Sequence, residues 1–193
     1  DLLRRHGIEP AADLDQRLKV LSARQGAALC REEYHLTETV DEIMDEIEAQ
    51  VDDFYHHEVR AKPGVEKFLS LLKMEGVWMY VATATDRHLA QAALRCAGID
   101  GYFRGIVTTA DVSKGKDESP EIYERAMTRL QSNKRDTVIF EDALHAIRTA
   151  KAAGFRVAAV YDASAEDDQE EIRSLADYYI RSFEEMFDTT SLD

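Results

Sequence analysis

Apolar residues in the first part of the chain recur only at helical spacing. They follow a period of three to four residues over 14–21, 25–34 and 36–54, which predicts three helices with a break near residues 22–24. We place the N-cap of the third helix at Thr37, because threonine is a favoured capping residue. The other face of that helix is nearly all acidic, which is typical of a solvated face. Residues 1–58 are therefore predicted to form an all-helical domain.

The pattern changes after residue 59, where short apolar runs alternate with helical stretches. The runs predict strands at 77–82, 105–109, 137–140, 155–160 and 178–181, the last at a sheet edge. The helices between them begin at Pro63 and Ser119-Pro120, among other places. Such alternation predicts an α/β domain over 59–193, with a Rossmann-like parallel sheet and helices on both faces. Right-handed crossovers would then bring every strand's carboxyl end to one rim of the sheet.

Composition and charge limit the kinds of molecule that the protein is expected to bind. The net charge of −14 argues against general binding to nucleic acid or to anionic membranes, since both require a basic surface. It still permits a small phosphorylated substrate, which a few local cations can hold. The two cysteines, Cys30 and Cys96, are isolated and favour a reducing, cytoplasmic location, and no apolar run approaches membrane-spanning length. A monomer or a weak dimer is our working expectation for the oligomeric state.

Two adjacent acids follow the apolar run at 137–140. Glu141 and Asp142 come at the carboxyl end of this predicted strand, and a helix ending at Gly154 follows them. Two neighbouring carboxylates repel each other unless a cation lies between them, and hard oxygen ligands suit Mg²⁺. The alternative is that the pair only caps the helix and interacts favourably with its dipole. We interpret the pair as a candidate magnesium site.

Two further loops are predicted to reach the same rim. One contains Thr83, the backbone N–H of Ala84 and the hydroxyl of Thr85, which suit phosphate oxygens at the start of a helix. The other contains Lys114 and Lys116, either of which could supply a compact cation. A loop lysine is more often simply solvated, so it is the combination of the three loops that indicates a phosphate site.

The segments VATAT (81–85), GKDESPEIY (115–123) and VIFEDALHAIRTAKAAGF (138–155), in this order, resemble motifs two, three and four of the haloacid-dehalogenase-like hydrolases. The resemblance is strongest to the branch that contains β-phosphoglucomutase and its phosphatase relatives, and the helical domain resembles the α-helical cap of that branch. It implies that Thr83 binds the phosphoryl group, that a loop lysine bridges phosphate and nucleophile, and that Glu141 and Asp142 serve Mg²⁺. Arg24, in the break between cap helices, would contact the substrate, although it could equally be a surface arginine.

The sequence departs from the family pattern at three points. The family usually has its lysine three residues before the proline, whereas Lys116 lies four residues and Lys114 six residues before Pro120, and we prefer Lys116 because it is nearer the helix. Ala143 stands where the family often has serine. The third departure concerns the nucleophile, because no Asp-x-Asp-x-Thr motif occurs in the 193 residues.

The family's first strand carries that nucleophile and lies in the middle of the sheet, where neighbouring strands depend on it for hydrogen bonds. We therefore expect upstream sequence to encode an apolar strand ending in Asp-x-Asp. The predicted function is a Mg²⁺-dependent phosphoester hydrolase that acts on a small phosphorylated metabolite through a phosphoaspartyl intermediate. The alternatives are a phosphomutase of the β-phosphoglucomutase type and a non-catalytic phosphate-binding or regulatory protein that lacks the nucleophile.

Overall fold

The computed structural model describes residues 2–18 and 21–187, and the side chains of Asp15 and Gln16 are not described. The chain divides into two compact units, the first ending at Glu58 and the second beginning at Val59. Among the helices of the described residues, none has the length and the apolar character needed to cross a bilayer.

The first unit is entirely helical in its described part. It contains α1 (Leu2–Arg5), α2 (Leu14–Leu18), α3 (Ala23–Glu33) and α4 (Val40–His57). Apolar side chains from these helices and from the segment between α3 and α4 form their own core, which includes Leu3, Leu14, Ala27, Cys30, Leu36 and Ile43. This arrangement follows from the helical spacing of the apolar positions, since each amphipathic helix turns its apolar stripe inward.

The N-cap of α4 is Thr39, so the expectation of Thr37 was wrong. The Glu42 N–H donates to the Thr39 hydroxyl at 3.2 Å, and the Thr39 N–H donates to the Glu42 carboxylate at 2.8 Å. These two bonds form a capping box, which satisfies two backbone N–H groups at once. Thr37 instead donates its hydroxyl to Glu38 at 3.2 Å.

The second unit is α/β. Its strands are β1 (Val81–Thr83), β2 (Ile106–Thr108), β3 (Val138–Glu141), β4 (Arg156–Val160) and β5 (Tyr178–Ile180). Its helices are α5 (Val65–Met74), α6 (Arg87–Cys96), α7 (Glu121–Arg129), α8 (Leu144–Ala152) and α9 (Gln169–Leu175). All strand pairs are parallel. The predicted fold class, α/β with parallel strands and an all-helical region, is therefore confirmed.

The first strand is shorter than the predicted 77–82. The Arg104 N–H donates to the Met79 carbonyl at 2.9 Å, so the segments that precede β1 and β2 already lie close together before the regular ladder begins. Val77 and Trp78, however, are 45% and 47% exposed, and the guanidinium of Arg104 lies 3.3 Å from the centre of the Trp78 ring. These apolar residues thus lie at the surface, and the regular ladder begins only at Val81.

The strands form two separate sheets, and from the sequence we expect a middle strand of the sheet to be encoded upstream. One sheet has the order β1-β2 and the other the order β3-β4-β5, and in the described residues no ladder joins them. A groove of about 310 Å³ lies between β1 and β3. It is lined largely by apolar side chains of α5, β1, α7 and β3, among them Leu69, Val81, Ala82, Met127 and Ile139, and Glu141 lies on its wall. The carboxyl ends of β1 and β3 therefore border the same groove without being paired.

The largest core of this unit is centred on α7, α8 and β4. Ile122, Ile147 and Val157 are completely buried there, and Phe155 is 2% exposed. Burying each such side chain stabilises the fold by about 1.5–3 kcal/mol. This core fixes α7 and β3, the two elements that carry the buried residues of the site.

Candidate active site

Glu141, the last residue of β3, is the most highly connected acid of the candidate site. Its side chain is 7% exposed. Its Oε1 atom accepts a hydrogen bond from the Tyr123 hydroxyl at 2.9 Å and forms an ion pair with the ammonium of Lys116. Its Oε2 atom accepts the backbone N–H of Asp142 at 3.3 Å. Both carboxylate oxygens are thus occupied by donors from three different parts of the chain.

Lys116 reaches this site from the loop before α7. The N–H groups of Glu118 and Ser119 both donate to the Gly115 carbonyl, at 3.1 and 3.0 Å, which folds the loop into a tight turn. The Lys116 side chain is 16% exposed, whereas Lys114 is exposed to solvent. The geometry therefore favours Lys116 over Lys114 as the lysine of the rim, and its chemical role remains a proposal.

Asp142 is half-buried beside Glu141. Burial is the main cause that raises the pKa of Asp142 above its ordinary value, and the charges of Glu141 and Asp162 add to the effect. A carboxylate whose charge is disfavoured in this way is one that a cation would stabilise. In the described residues, however, no group of three or more His, Cys, Asp or Glu could hold a metal ion. Glu141 and Asp142 fit Mg²⁺ as hard oxygen ligands, and further oxygens would have to come from elsewhere.

Thr83, Ala84 and Thr85 lie at the end of β1, on the other side of the groove. The Thr85 N–H donates to the Thr83 hydroxyl oxygen at 3.1 Å, and the Thr109 hydroxyl donates to the Ala84 carbonyl at 3.4 Å. The turn leads directly into α6, whose amino terminus favours negative charge. The structure thus joins Lys116, Glu141 and Asp142 by contacts, and it places the threonine turn at the neighbouring strand end.

A network that sequence reasoning missed supports this turn. The Arg87 guanidinium donates to the Ile106 carbonyl at 2.8 Å and pairs with Asp111, which also accepts the Thr108 N–H at 2.7 Å. The Thr108 N–H is the main cause that lowers the pKa of Asp111. These bonds connect the start of α6 to the end of β2. They therefore fix the position of α6, which follows the threonine turn directly.

Two further residues near the rim were missed. Tyr123 was not among the predicted site residues, although its hydroxyl donates to Glu141 at 2.9 Å. Asp162 lies just after β4 and accepts bonds from the Lys62 ammonium and the Ser164 hydroxyl, both at 2.6 Å. Asp162 could have been found, because the rule that polar residues at strand ends form sites applies to β4 as well as to β3.

Arg24 belongs to the helical unit. Its guanidinium pairs with Asp41 at 2.8 Å, and its side chain is 66% exposed. Its assignment as a substrate-binding residue therefore remains a prediction.

Comparison with known proteins identifies the family. Residues 10–160 match the family model described as haloacid dehalogenase-like hydrolase. The chain belongs to this family. The resemblance expected from the three sequence motifs is confirmed, and the motif residues Thr83, Lys116, Glu141 and Asp142 all fall within the matched region.

Several curated relatives of the chain are named as phosphatases. It is 26% identical over 149 residues to a phosphorylated carbohydrates phosphatase of Thermotoga maritima, covering 77% of the chain and 68% of the relative. It is 31% identical over 171 residues to a bifunctional riboflavin kinase/FMN phosphatase of Arabidopsis thaliana, covering 83% of the chain and 43% of the relative. It is 32% identical over 136 residues to the pyrophosphatase PpaX of Halalkalibacterium halodurans, covering 69% of the chain and 62% of the relative. The matches to the last two span less than two thirds of those proteins.

Solved structures agree on the fold. A candidate β-phosphoglucomutase from Thermotoga maritima superposes with a TM-score of 0.81 at 24% identity, over 96% of this chain and 85% of that one. A mutant of CbbY from Rhodobacter sphaeroides, solved in complex with xylulose-(1,5)bisphosphate, superposes with a TM-score of 0.68 at 23% identity, over 100% of this chain and 88% of that one. At these identities the likeness shows the fold alone.

Proposed function

We propose that the protein is a Mg²⁺-dependent phosphoester hydrolase that acts on a small phosphorylated metabolite through a phosphoaspartyl intermediate. The observation that carries this proposal is the contact between Lys116 and Glu141 beside Asp142, at the carboxyl end of β3. A buried cation next to paired acids, across a groove from a threonine turn, can supply the charge stabilisation and positioning on which phosphoryl transfer depends, and the chain belongs to the haloacid dehalogenase-like hydrolase family.

The threonine turn would hold the phosphoryl group. The Thr83 hydroxyl oxygen already accepts the Thr85 N–H, so its own hydrogen remains to be donated to a phosphate oxygen. The N–H of Ala84 and the hydroxyl of Thr85 would supply further donors, with the amino terminus of α6 behind them. Lys116 would bridge the phosphate and the attacking group, and Arg24 would contact the rest of the substrate.

Asp142, with Glu141 beside it, would hold Mg²⁺. The ion, when bound, neutralises charge that develops on the phosphoryl oxygens. Asp142 is the stronger candidate ligand, because its side chain has no protein donor of the kind that Lys116 and Tyr123 provide to Glu141 among the described contacts. Glu141 would contribute mainly by placing Lys116.

The nucleophile would be an aspartate from outside these 193 residues. The groove between β1 and β3 is lined by apolar side chains and bordered by the carboxyl ends of both strands, so a strand seated there would end between Thr83 and Glu141. An aspartate at that point could attack the phosphorus, forming a P–O bond while the bond to the leaving group breaks. Water would then hydrolyse the phosphoaspartyl group and release inorganic phosphate.

A phosphomutase is the second candidate, in which the phosphoryl group returns to a sugar instead of passing to water. Its support is the resemblance of the segments 81–85, 115–123 and 138–155 to the branch of the family that contains β-phosphoglucomutase. A non-catalytic phosphate-binding protein is the third. Analysis of products separates the first two, because a phosphatase releases inorganic phosphate and a mutase yields an isomeric phosphate ester.

The test is phosphate release by the full-length protein from a panel of sugar phosphates and p-nitrophenyl phosphate, with Mg²⁺ or with EDTA. Wild type should act only with Mg²⁺, and Asp142→Asn should lower the rate by about 100-fold or more, since electrostatic stabilisation of the transition state is a large term. Asp167→Asn, which changes an exposed acid after β4, is the matched control and should leave the rate unchanged. Full activity of Asp142→Asn would refute the assignment of the metal ligand.

A further inference from the structure

We propose that Tyr123 is a positioning residue of this site: its buried hydroxyl fixes the carboxylate of Glu141 and, through it, the ammonium of Lys116. The functional meaning of this role rests on the phosphoester hydrolase proposed above. Tyr123 is not placed among the groups that touch substrate, since it acts through Glu141.

Tyr123 is rigidly held. It lies on α7, is 1% exposed, and packs its ring edge-on against Phe155 with a centroid separation of 6.3 Å. Ile122 beside it is completely buried in the same core. This packing holds the Tyr123 hydroxyl at the end of β3, where it donates to Glu141.

The hydroxyl is directed at Glu141. It donates a hydrogen bond to Glu141 Oε1 at 2.9 Å, and the side chain of Glu141 is itself only 7% exposed. A buried hydroxyl and a buried carboxylate oxygen thus satisfy each other.

Glu141, held by Tyr123, in turn positions the ammonium group of Lys116. The same Oε1 atom receives the Lys116 ammonium, which also lies 5.7 Å from the centre of the Tyr123 ring. Without the hydroxyl, an oxygen in a site that is only 7% exposed would lose one of its two side-chain donors. The carboxylate would then turn toward water to recover a partner, and the lysine would lose its fixed anchor.

The first experiment measures the accessibility of Lys116 without reference to activity. The full-length protein is treated with a low dose of acetic anhydride, and the acetylation of Lys116 relative to the exposed Lys114 is quantified by mass spectrometry. Tyr123→Phe should raise this ratio by about threefold or more, the effect of one weakened hydrogen bond. Tyr179→Phe is the matched control, because it removes another tyrosine hydroxyl, which donates to Gln169 at 2.7 Å, and it should leave the ratio unchanged.

Lys151 reports on the overall fold in the same samples, since it is paired with Asp177 at 2.7 Å in a different part of the unit. Increased labelling of Lys151 together with Lys116 in Tyr123→Phe would mean that the hydroxyl supports the fold as a whole, and it would overturn the proposal. An unchanged ratio of Lys116 to Lys114 would overturn it as well.

The second experiment tests whether Tyr123 acts through Glu141. In a double-mutant cycle with Glu141→Gln, the labelling effect of Tyr123→Phe should largely disappear in the Gln background. In the wild-type background Tyr123→Phe should lower kcat by about tenfold. Additive effects on labelling would contradict the proposal. A wild type with no hydrolytic activity would refute the proposed function alone, because the labelling result does not depend on turnover.

Discussion

At the scale of single residues, the ion pair between Lys116 and Glu141 concentrates most of the chemistry of the rim. Both side chains are largely withdrawn from water, at 16% and 7% exposure. Such a pair contributes little net stability compared with an apolar pair, but removal of one member leaves a buried charge without compensation. The pair therefore keeps the Lys116 ammonium beside Glu141, and a fixed position is an advantage for a cation that must contact a substrate.

Lys116→Ala should consequently lose both activity and stability, with turnover falling by about 100-fold and the free energy of unfolding by about 2–3 kcal/mol. Lys114→Ala changes the exposed lysine two residues earlier and should shift the free energy of unfolding by no more than about 0.5 kcal/mol. Steady-state kinetics and urea unfolding measure the two effects. Near-normal turnover in Lys116→Ala together with loss of turnover in Lys114→Ala would reverse the assignment.

Asp162 is expected to make the stability of the fold depend on pH in the acid range. Its bond from the Lys62 ammonium is the main cause that lowers its pKa, followed by bonds from the Ser164 hydroxyl and N–H. A carboxylate whose pKa is lower in the folded state stabilises the fold above the unfolded pKa of about 3.9, and this contribution is lost as the pH falls toward the folded value. The stabilisation should therefore be complete at neutral pH and decline below about pH 4.

Asp162→Asn should lower the free energy of unfolding by about 1–2 kcal/mol at neutral pH, and the difference from wild type should shrink as the pH falls to about 3. Urea unfolding at both pH values measures it. Asp167→Asn serves as the control, since it removes an exposed acid of the same turn region. A difference between Asp162→Asn and wild type that stayed constant with pH would contradict the sign of this linkage.

At the scale of elements, the sequence contained more information than the helical period used to place α4. Thr37 and Thr39 are both suitable caps by residue type, but only Thr39 has a glutamate three residues later, which completes a capping box. Ser22 and Gln25 have the same spacing at the start of α3. The contact of Tyr123 with Glu141 could not be found in this way, because it joins α7 to the end of β3 and depends on how the two elements pack.

The start of α5 offers a sharp test of backbone geometry. Gly64, just before this helix, and Gly76, just after it, both have positive φ angles, of 79° and 75°. A Cβ atom on Gly64 would lie 2.6 Å from the Glu184 N atom and 2.7 Å from the Phe183 carbonyl carbon, whereas a Cβ on Gly76 would meet nothing within 4 Å. Substitution by alanine therefore has the same conformational cost at both glycines, because both have a positive φ angle. Only at Gly64 does it also cause a steric clash.

Gly76→Ala should therefore lower the free energy of unfolding by about 1 kcal/mol, the cost of a left-handed L-residue. Gly64→Ala should lower it by about 2 kcal/mol more, because the chain at 183–184 must move away. Urea unfolding of both variants compares them directly. Equal losses would mean that the close approach between Gly64 and residues 183–184 does not persist in solution.

At the scale of the whole molecule, the alternation of strands and helices predicted the α/β class and the common rim, but it did not predict two sheets. Periodicity reports which residues are buried and not which strand lies beside which, so the gap between β1 and β3 was expected only from the family resemblance, which implies a middle strand between those ending at Ala82 and Glu141. The edges of β1 and β3 carry backbone groups that pair with no neighbouring strand in the described part of the chain. Unpaired edges beside an apolar groove favour the addition of another strand.

We expect this groove to take an apolar strand that ends in Asp-x-Asp and is encoded outside these 193 residues. Seated between β1 and β3, it would join the two sheets, bury Val81 and Ile139 more fully, and bring a carboxylate to the rim between Thr83 and Glu141. A nucleophile must approach the phosphorus to about 3–3.5 Å, and a carboxylate between the two strand ends is the group we expect to make that approach.

A protein that contains this strand should therefore be more stable than residues 1–193 alone and should hydrolyse phosphate monoesters, whereas residues 1–193 should bind the dye ANS and release no phosphate. Asn in place of the first aspartate of the motif would test the nucleophile separately, because it keeps the strand and removes the attacking oxygen anion; it should abolish turnover and leave the melting temperature nearly unchanged. Residues 1–193 that are stable by themselves, with no Asp-x-Asp motif in the full-length protein, would instead favour a phosphate-binding protein without catalysis. The two results differ because only the catalytic protein needs a carboxylate in the groove, while Thr83 and Lys116 could bind phosphate without one.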